Sequence, residues 1–410
     1  MTAPRYDVAA FRRQFPALES GTAHFDGPGG SQVPRRVADA VATTMTTSFA
    51  NRGTVTAAER FADSVVLGAR AAAGDLLGAD PAGIVFGRSM TALTFQFADT
   101  LARTWSPGDE IVVSRLDHDA NVTPWVLAAQ AAGATVRWID FDTATGELTE
   151  DHVRRVISSR TRLVAMTGAS NLIGTRPPLR AIADAVHAVG ALFFVDGVHL
   201  TAHAPVDVVA LGADLFACSP YKFLGPHCGI VAGSPELLAG LRPAKLAASS
   251  DAVPERFELG TLPYELLAGT TAAIEVLAGL GGPDGTRRER LIAGMTAVER
   301  HEDEIREGLE AELAALPGVT LWSRAAERTP TLLLTFADRD ARDAHRFLAE
   351  RNVNAPAGSF YALEPSRALG LGTAGGLRIG LAPYSDAQDV QRLLTGLREF
   401  LACRSGRPAP

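Results

Sequence analysis

The chain has 410 residues, 47% of them hydrophobic and 21% charged, with a formal net charge of -7. That composition supports a large packed core over about two or three domains and excludes a disordered chain. No basic stripe with interleaved aromatics points to nucleic acid, and no apolar run of about 18 residues marks a membrane span.

The first part reads as helices over 34–49 and 57–77, each with an apolar face. A short strand over 84–86 follows, and Ser89, Met90 and Thr91 then open another helix. From there strand and helix alternate. Runs 111–114, 135–140, 162–166, 191–195 and 214–218 read as strands; 121–131, 150–158 and 178–189 read as helices between them. This rhythm predicts an α/β fold, a mostly parallel sheet covered by helices on both faces. After residue 262 the character changes. Long helices are expected over 264–280 and 287–316, then a compact α+β unit from 331–336, 341–351, 377–383 and 386–402. The expected division is an N-terminal segment (1–20) packed on the small domain, a large domain (21–262) and a small C-terminal domain (263–410). The tail 404–410 is expected to fray.

In parallel sheets ligands bind outside the carboxyl ends of the strands. Two residues of matched chemistry fall there. Asp196 ends the 191–195 strand, in Val195-Asp196-Gly197-Val198-His199, and Lys222 follows the 214–218 strand, in Ser219-Pro220-Tyr221-Lys222. An acid and a lysine at neighbouring strand ends are what a pyridoxal phosphate site needs. The acid keeps the pyridine nitrogen protonated, and the lysine amine forms a Schiff base with the aldehyde. Ser219 and Tyr221 are placed to offer hydroxyls to a phosphate. Ser89-Met90-Thr91 is either an anion site at a helix start or an ordinary serine cap. His118 suits stacking on a ring or shuttling a proton, or else simply starts a helix. Asn121 caps the next helix or reaches a substrate. Asn171 hydrogen-bonds the cofactor's 3-oxygen or serves a turn. Arg378, within an apolar strand, suits a substrate α-carboxylate unless it lies on an edge facing water.

With these residues in place, the chain resembles the class V, fold-type I pyridoxal phosphate enzymes. These include cysteine desulfurases, selenocysteine lyases, kynureninases and isopenicillin N epimerases, and the match is best with the cysteine desulfurase-like branch. The resemblance covers nearly the whole chain and rests on Phe25 to Gly30, Leu116 to Asn121, Ser170 to Thr175, Val195 to His199, Ser219 to Gly225, Arg256 to Thr261, and Arg378. It implies a large domain on a mostly parallel seven-stranded sheet and a smaller α+β C-terminal domain. It implies that Lys222 is the Schiff-base lysine, Asp196 the acid on the pyridine nitrogen and His118 the stacking ring. Asn171 and His199 would lie near the 3-oxygen. Met90 (through its backbone), Thr91, Ser219 and Tyr221 would form the phosphate cup, and Thr261 would reach the phosphate of the other subunit. Arg378 would clamp the carboxylate of a small amino-acid substrate. A homodimer with active sites at its interface is implied too.

One departure bears on activity. True desulfurases carry a nucleophilic cysteine on a loop upstream of the clamp arginine, whereas 357–376 here contains none. That loop reads Gly358-Ser359-Phe360-Tyr361-Ala362, and with Tyr264 its aromatics are expected to shape the pocket. The cysteines present, Cys218, Cys228 and Cys403, are too few and scattered for a disulfide framework or a zinc site. With no signal-like apolar stretch in 1–15, the expected compartment is the cytoplasm. The expected reaction is Cα deprotonation by Lys222, with His118 as its partner, then elimination at Cβ in the manner of a C–S lyase. Transamination or Cα epimerisation is the alternative. A nicotinamide oxidoreductase is disfavoured, because Gly27-Pro28-Gly29-Gly30 precedes the first strand–helix unit. A non-catalytic protein on this fold would be expected to lose Lys222 or Asp196, and both are present.

Overall fold

Alternation along the central strands sorts their side chains into two cores. In the computed structural model, which describes residues 6–403, Phe86, Val112, Val164, Met166, Phe193, Val195 and Phe216 face one core. Val85, Ile111, Val113, Leu163, Ala165, Phe194 and Leu215 face the other. Strand side chains point to opposite faces in turn, so a strand that is apolar throughout must be covered on both sides. Residues 1–5 and the expected frayed tail 404–410 lie outside the described residues.

The sheet has seven strands, in the order Ile84–Gly87, Gly229–Gly233, Leu215–Cys218, Leu192–Asp196, Thr161–Thr167, Glu110–Ser114 and Thr135–Ile139. Gly229–Gly233 runs antiparallel to both neighbours, and the other pairings are parallel. The mostly parallel seven-stranded sheet is therefore as expected, although the strand rhythm did not include Gly229–Gly233. Only the short turn Pro220–Lys222 and no α-helix separates it from Leu215–Cys218, so the strand–helix alternation passes over it. Its first residue must be small: a Cβ on Gly229 would lie 2.2 Å from the Ser89 carbonyl carbon. Glycine there lets the start of helix Met90–Ala102 press against the sheet.

Helix Ala57–Leu77 opens with a capping box of Thr56 and Glu59, and Tyr264–Gly279 packs on it and on Arg35–Thr46. A second, antiparallel sheet joins Ala357–Gly358, Gly376–Gly380, Thr331–Phe336 and Val319–Leu321 in that order. Its core holds Leu332, Leu334, Leu348, Leu377, Ile379, Leu397 and Phe400, with Ala23 and Phe25 from the N-terminal part. Ala23–His24 pairs in parallel with Val353–Asn354. Arg287–Ala314 contributes Leu291 and Met295 to the first core and Leu309 and Leu313 to this one. We propose the same division of the chain, into 1–20, 21–262 and 263–410, with that long helix as the strut between cores. Among the described residues no helix is long and apolar enough to cross a membrane.

Candidate functional site

The carboxyl ends of the parallel strands deliver the chemistry. Leu192–Asp196 is apolar until its last residue, so packing fixes the strand and places Asp196 at its tip. Asp196 Oδ1 accepts the Val198 N–H at 3.0 Å. Burial raises its acid to about 6, while the Val198 N–H and Lys222 pull the other way. Lys222 sits in the turn Pro220–Lys222 just past Leu215–Cys218. Its Nζ donates to the Pro28 carbonyl and lies 4.7 Å from the centre of the Tyr221 ring. Burial and then Arg378 push the ammonium down to about 7, against Asp196. A large share of this amine is therefore neutral near pH 7.

His118 starts a short turn and also lines the cavity. Its Nδ1 caps a short turn by accepting the Ala120 N–H at 3.0 Å, and its ring faces the cavity. Burial, followed by Lys222, pushes it down to about 4. The imidazole is neutral, with its proton on Nε2. Asn171 donates from Nδ2 to the Phe360 carbonyl at 3.0 Å, and its Oδ1 is buried without a partner among the described residues. Arg378 donates from Nη1 to the Asn171 carbonyl at 3.0 Å, and its Nε is likewise unpartnered. The Phe360 ring lies 3.7 Å from the guanidinium carbon. Burial lowers this arginine to about 9, with Asp26 opposing.

Nine of the twelve site residues expected from sequence line one cavity of about 550 Å³. The other three, Asn121, Ser219 and Thr261, do not. Asn121 as a substrate contact is corrected. It is fully buried, its Nδ2 donates to Asp117 Oδ1 at 2.7 Å, and its Oδ1 accepts the Trp125 indole N–H at 2.9 Å. Both ends of the amide are committed inside the wall. Ser219 is buried beneath the lysine turn, outside the cavity lining. Thr261 is exposed on the segment after Glu255–Phe257 and is not part of the cavity lining.

Phe360 and Tyr361 form a strap over the opening. Both adopt the left-handed region, at φ 53° and 57°. Their carbonyls are pinned from two walls, one by Asn171 and the other by the Asp119 N–H at 2.7 Å. Arg115 anchors the helix that follows through Glu364.

Residues 23–393 match the family model described as aminotransferase class-V. The chain belongs to the class-V aminotransferase family. It is 34% identical over 399 residues to the "uncharacterized protein MT3887" of Mycobacterium tuberculosis, covering 96% of this chain and 98% of the relative. It is 30% identical over 417 residues to a cysteine desulfurase of Dickeya dadantii, covering 96% and 97%. The cysteine desulfurase CsdA of Escherichia coli matches in three dimensions with a TM-score of 0.85 at 28% identity, covering 97% of this chain and 99% of that one. The fold is thus that of fold-type I pyridoxal phosphate enzymes, and this class-V chain is an enzyme of a pyridoxal phosphate-dependent family.

The class-V residues fit the cofactor on the chemistry of their donors. The N–H groups of Met90 and Thr91 lie in the first turn of a helix, where they have no intrahelical partner, and both residues line the cavity. Asn171 Oδ1 is buried without a partner among the described residues, Asp196 is a buried acid at a strand tip, and Lys222 carries an amine whose pKa burial lowers, so together they would suit the ring oxygen, ring nitrogen and aldehyde of that cofactor. The sequence reading missed several neighbours. Pro28 supplies the carbonyl that holds Lys222 Nζ, and the Gly27 to Gly30 turn was its signal. Phe95 lines the cavity one helical turn beyond Thr91, a spacing that could have revealed it.

Proposed function

We propose that this chain binds pyridoxal phosphate and acts on an amino acid by removing its Cα proton, followed by elimination at Cβ. The observation that carries the reading is the convergence of Lys222, Asp196, His118, Asn171 and Arg378 on one cavity. There, two buried polar atoms, Asn171 Oδ1 and Arg378 Nε, lack partners among the described residues. The residues that would hold the cofactor are Lys222, Asp196, His118, Asn171 and His199, with Met90, Thr91 and Tyr221 toward its phosphate. Ser219 and Thr261 join them, Ser219 through the buried lysine turn and Thr261 across a homodimer interface. When bound, the cofactor supplies an electron-withdrawing ring that acidifies the substrate Cα–H.

The chain's own residues do the rest. Arg378 holds the substrate α-carboxylate through its free Nε edge, while Phe360 excludes water from the guanidinium face. Lys222 Nζ takes the Cα proton, and its lowered pKa suits a base working near neutrality. His118 packs as a neutral ring, because burial and Lys222 keep it from carrying a proton at that pH. A persulfide route on the 357–376 loop has no thiol to use. Cys218 and Cys228 are both buried, with thiols pushed up by burial, which suits core packing rather than attack.

The test is product analysis after incubating the cofactor-loaded protein with a panel of amino acids. A 2-keto acid formed with release of the Cβ substituent supports elimination. A keto acid that keeps the substituent, or a racemised amino acid, overturns elimination in favour of transamination or epimerisation.

A further inference from the structure

Part of the cavity lining is left unused by the proposed chemistry. Once the groups for the cofactor and the α-carboxylate are assigned, the remaining wall includes Phe95, Ala120, Pro124, Val198, Phe360 and Tyr361. Tyr264, expected to join these aromatics, is packed in the first core instead, with its ring centre 5.9 Å from that of Phe49.

Two of the rings are not explained by packing. Tyr361 is 77% exposed and Phe95 is 43% exposed, although both line the cavity. Tyr361 is also in the left-handed region, at φ 57°, directly after Phe360 at φ 53°. Glycine takes that region without steric cost, and a bulky residue does not. Strain of this kind beside a cavity points to a function for the side chain. Phe360 has a local role, with its ring 3.7 Å from the Arg378 guanidinium carbon. Tyr361 lacks an equivalent. Its ring centre is 5.6 Å from that of His118, yet most of its surface meets solvent. The bond that pins it, from the Asp119 N–H, goes to its carbonyl, which glycine would offer equally. The fold therefore needs a residue at 361 but not an aromatic ring.

Charge narrows what those rings can meet. Lys222 and Arg378 are the lysine and arginine of the lining, and the proposed reaction engages both. A second carboxylate on the substrate would find no further lysine or arginine there, and would share the cavity with Asp119. A cationic side chain would gain only an exposed pair with Asp119, which already accepts the Thr123 hydroxyl at 2.7 Å. Exposed pairs contribute little, whereas covering an aromatic ring removes a large apolar area from water.

We propose that Phe95 and Tyr361 are specificity-determining residues that receive the substrate's side chain, and that this side chain is apolar and of aromatic size. The inference rests on the function proposed above, which places the substrate's carboxylate at Arg378 and its Cα at Lys222.

The experiment is calorimetric titration of the cofactor-loaded protein with phenylalanine, alanine, aspartate and lysine. Phenylalanine is expected to bind about 10- to 100-fold tighter than each of the other three. In Tyr361→Gly, which relieves the left-handed strain, and in Phe95→Ala, on a helix, its advantage over alanine should fall at least about threefold, and further in the double variant. Equal affinity for phenylalanine and alanine in the unaltered protein overturns the proposal, as does tighter binding of aspartate or lysine. A folded double variant that keeps the full preference overturns it too. If that variant keeps the preference but loses oligomer mass in light scattering, both rings belong to a subunit interface. Failure of the function itself would appear separately, as no cofactor absorbance or no deuterium uptake at Cα of bound phenylalanine, with the heats of binding still ordering the four amino acids.

Discussion

Replacing Arg378 with glutamine separates a waiting clamp from an ordinary buried ion pair. Arg378 is 3% exposed, and among the described residues its guanidinium makes one hydrogen bond, at 3.0 Å to the Asn171 carbonyl, and leaves Nε unpartnered. Burial lowers its pKa to about 9, and Asp26 is the acid that opposes this. A buried cation short of partners costs folding free energy, so removing it should leave Tm unchanged or raise it. A substrate carboxylate would make the missing charge-assisted bonds, worth about 1.5–3 kcal/mol. Losing them corresponds to a rise in KM of roughly 10- to 150-fold. kcat should fall less, because the lost interaction is made in the ground state as well. Thermal unfolding and steady-state kinetics on the cofactor-loaded protein read both quantities. A variant that loses several degrees of Tm while keeping its KM would refute the reasoning, since Arg378 would then be structural.

Three further outcomes are expected. Uptake of pyridoxal phosphate by the cofactor-free protein should quicken as pH rises toward about 7 and level off above it, because the attacking Lys222 amine must be neutral; a rate still climbing through the ordinary lysine range contradicts this. Asn121→Leu should lower thermal stability by about 1–3 kcal/mol for each partner left unsatisfied, those partners being Asp117 and the Trp125 indole, with KM unchanged; a raised KM without loss of Tm would restore Asn121 to the substrate. At Tyr361, where φ is 57°, glycine should be more stable than alanine by about 1 kcal/mol in chemical denaturation, and the reverse order would show that the left-handed backbone there carries no cost.

Much of this site was legible because hydrophobic runs end where chemistry begins. Asp196 closes an apolar strand, and Lys222 lies in a turn just past another. Local spacing also held the correction at Asn121: Asp117 and Trp125 stand four residues to either side, the separation at which side chains on one turn meet. What stayed hidden depends on contacts between distant segments. Thr329 and Thr331, whose hydroxyls meet His199 Nε2, are 130 and 132 residues from it, and nothing in their own neighbourhood marks them. The strand Gly229–Gly233 is hidden for another reason, since it is glycine-bounded, antiparallel and follows no α-helix. Phe360 was expected near the pocket. Its place on the face of Arg378 depends on the left-handed strap, which no residue preference announces in a Phe-Tyr pair.

The central claim is that Lys222 removes an amino acid's Cα proton within this cavity. The most direct measurement is deuterium incorporation at Cα, by mass spectrometry, after incubating the cofactor-loaded protein with amino acids in deuterated water. The account predicts exchange for at least one substrate with the unaltered protein and none with a folded Lys222→Ala variant. Exchange in that variant at the unaltered rate would contradict it.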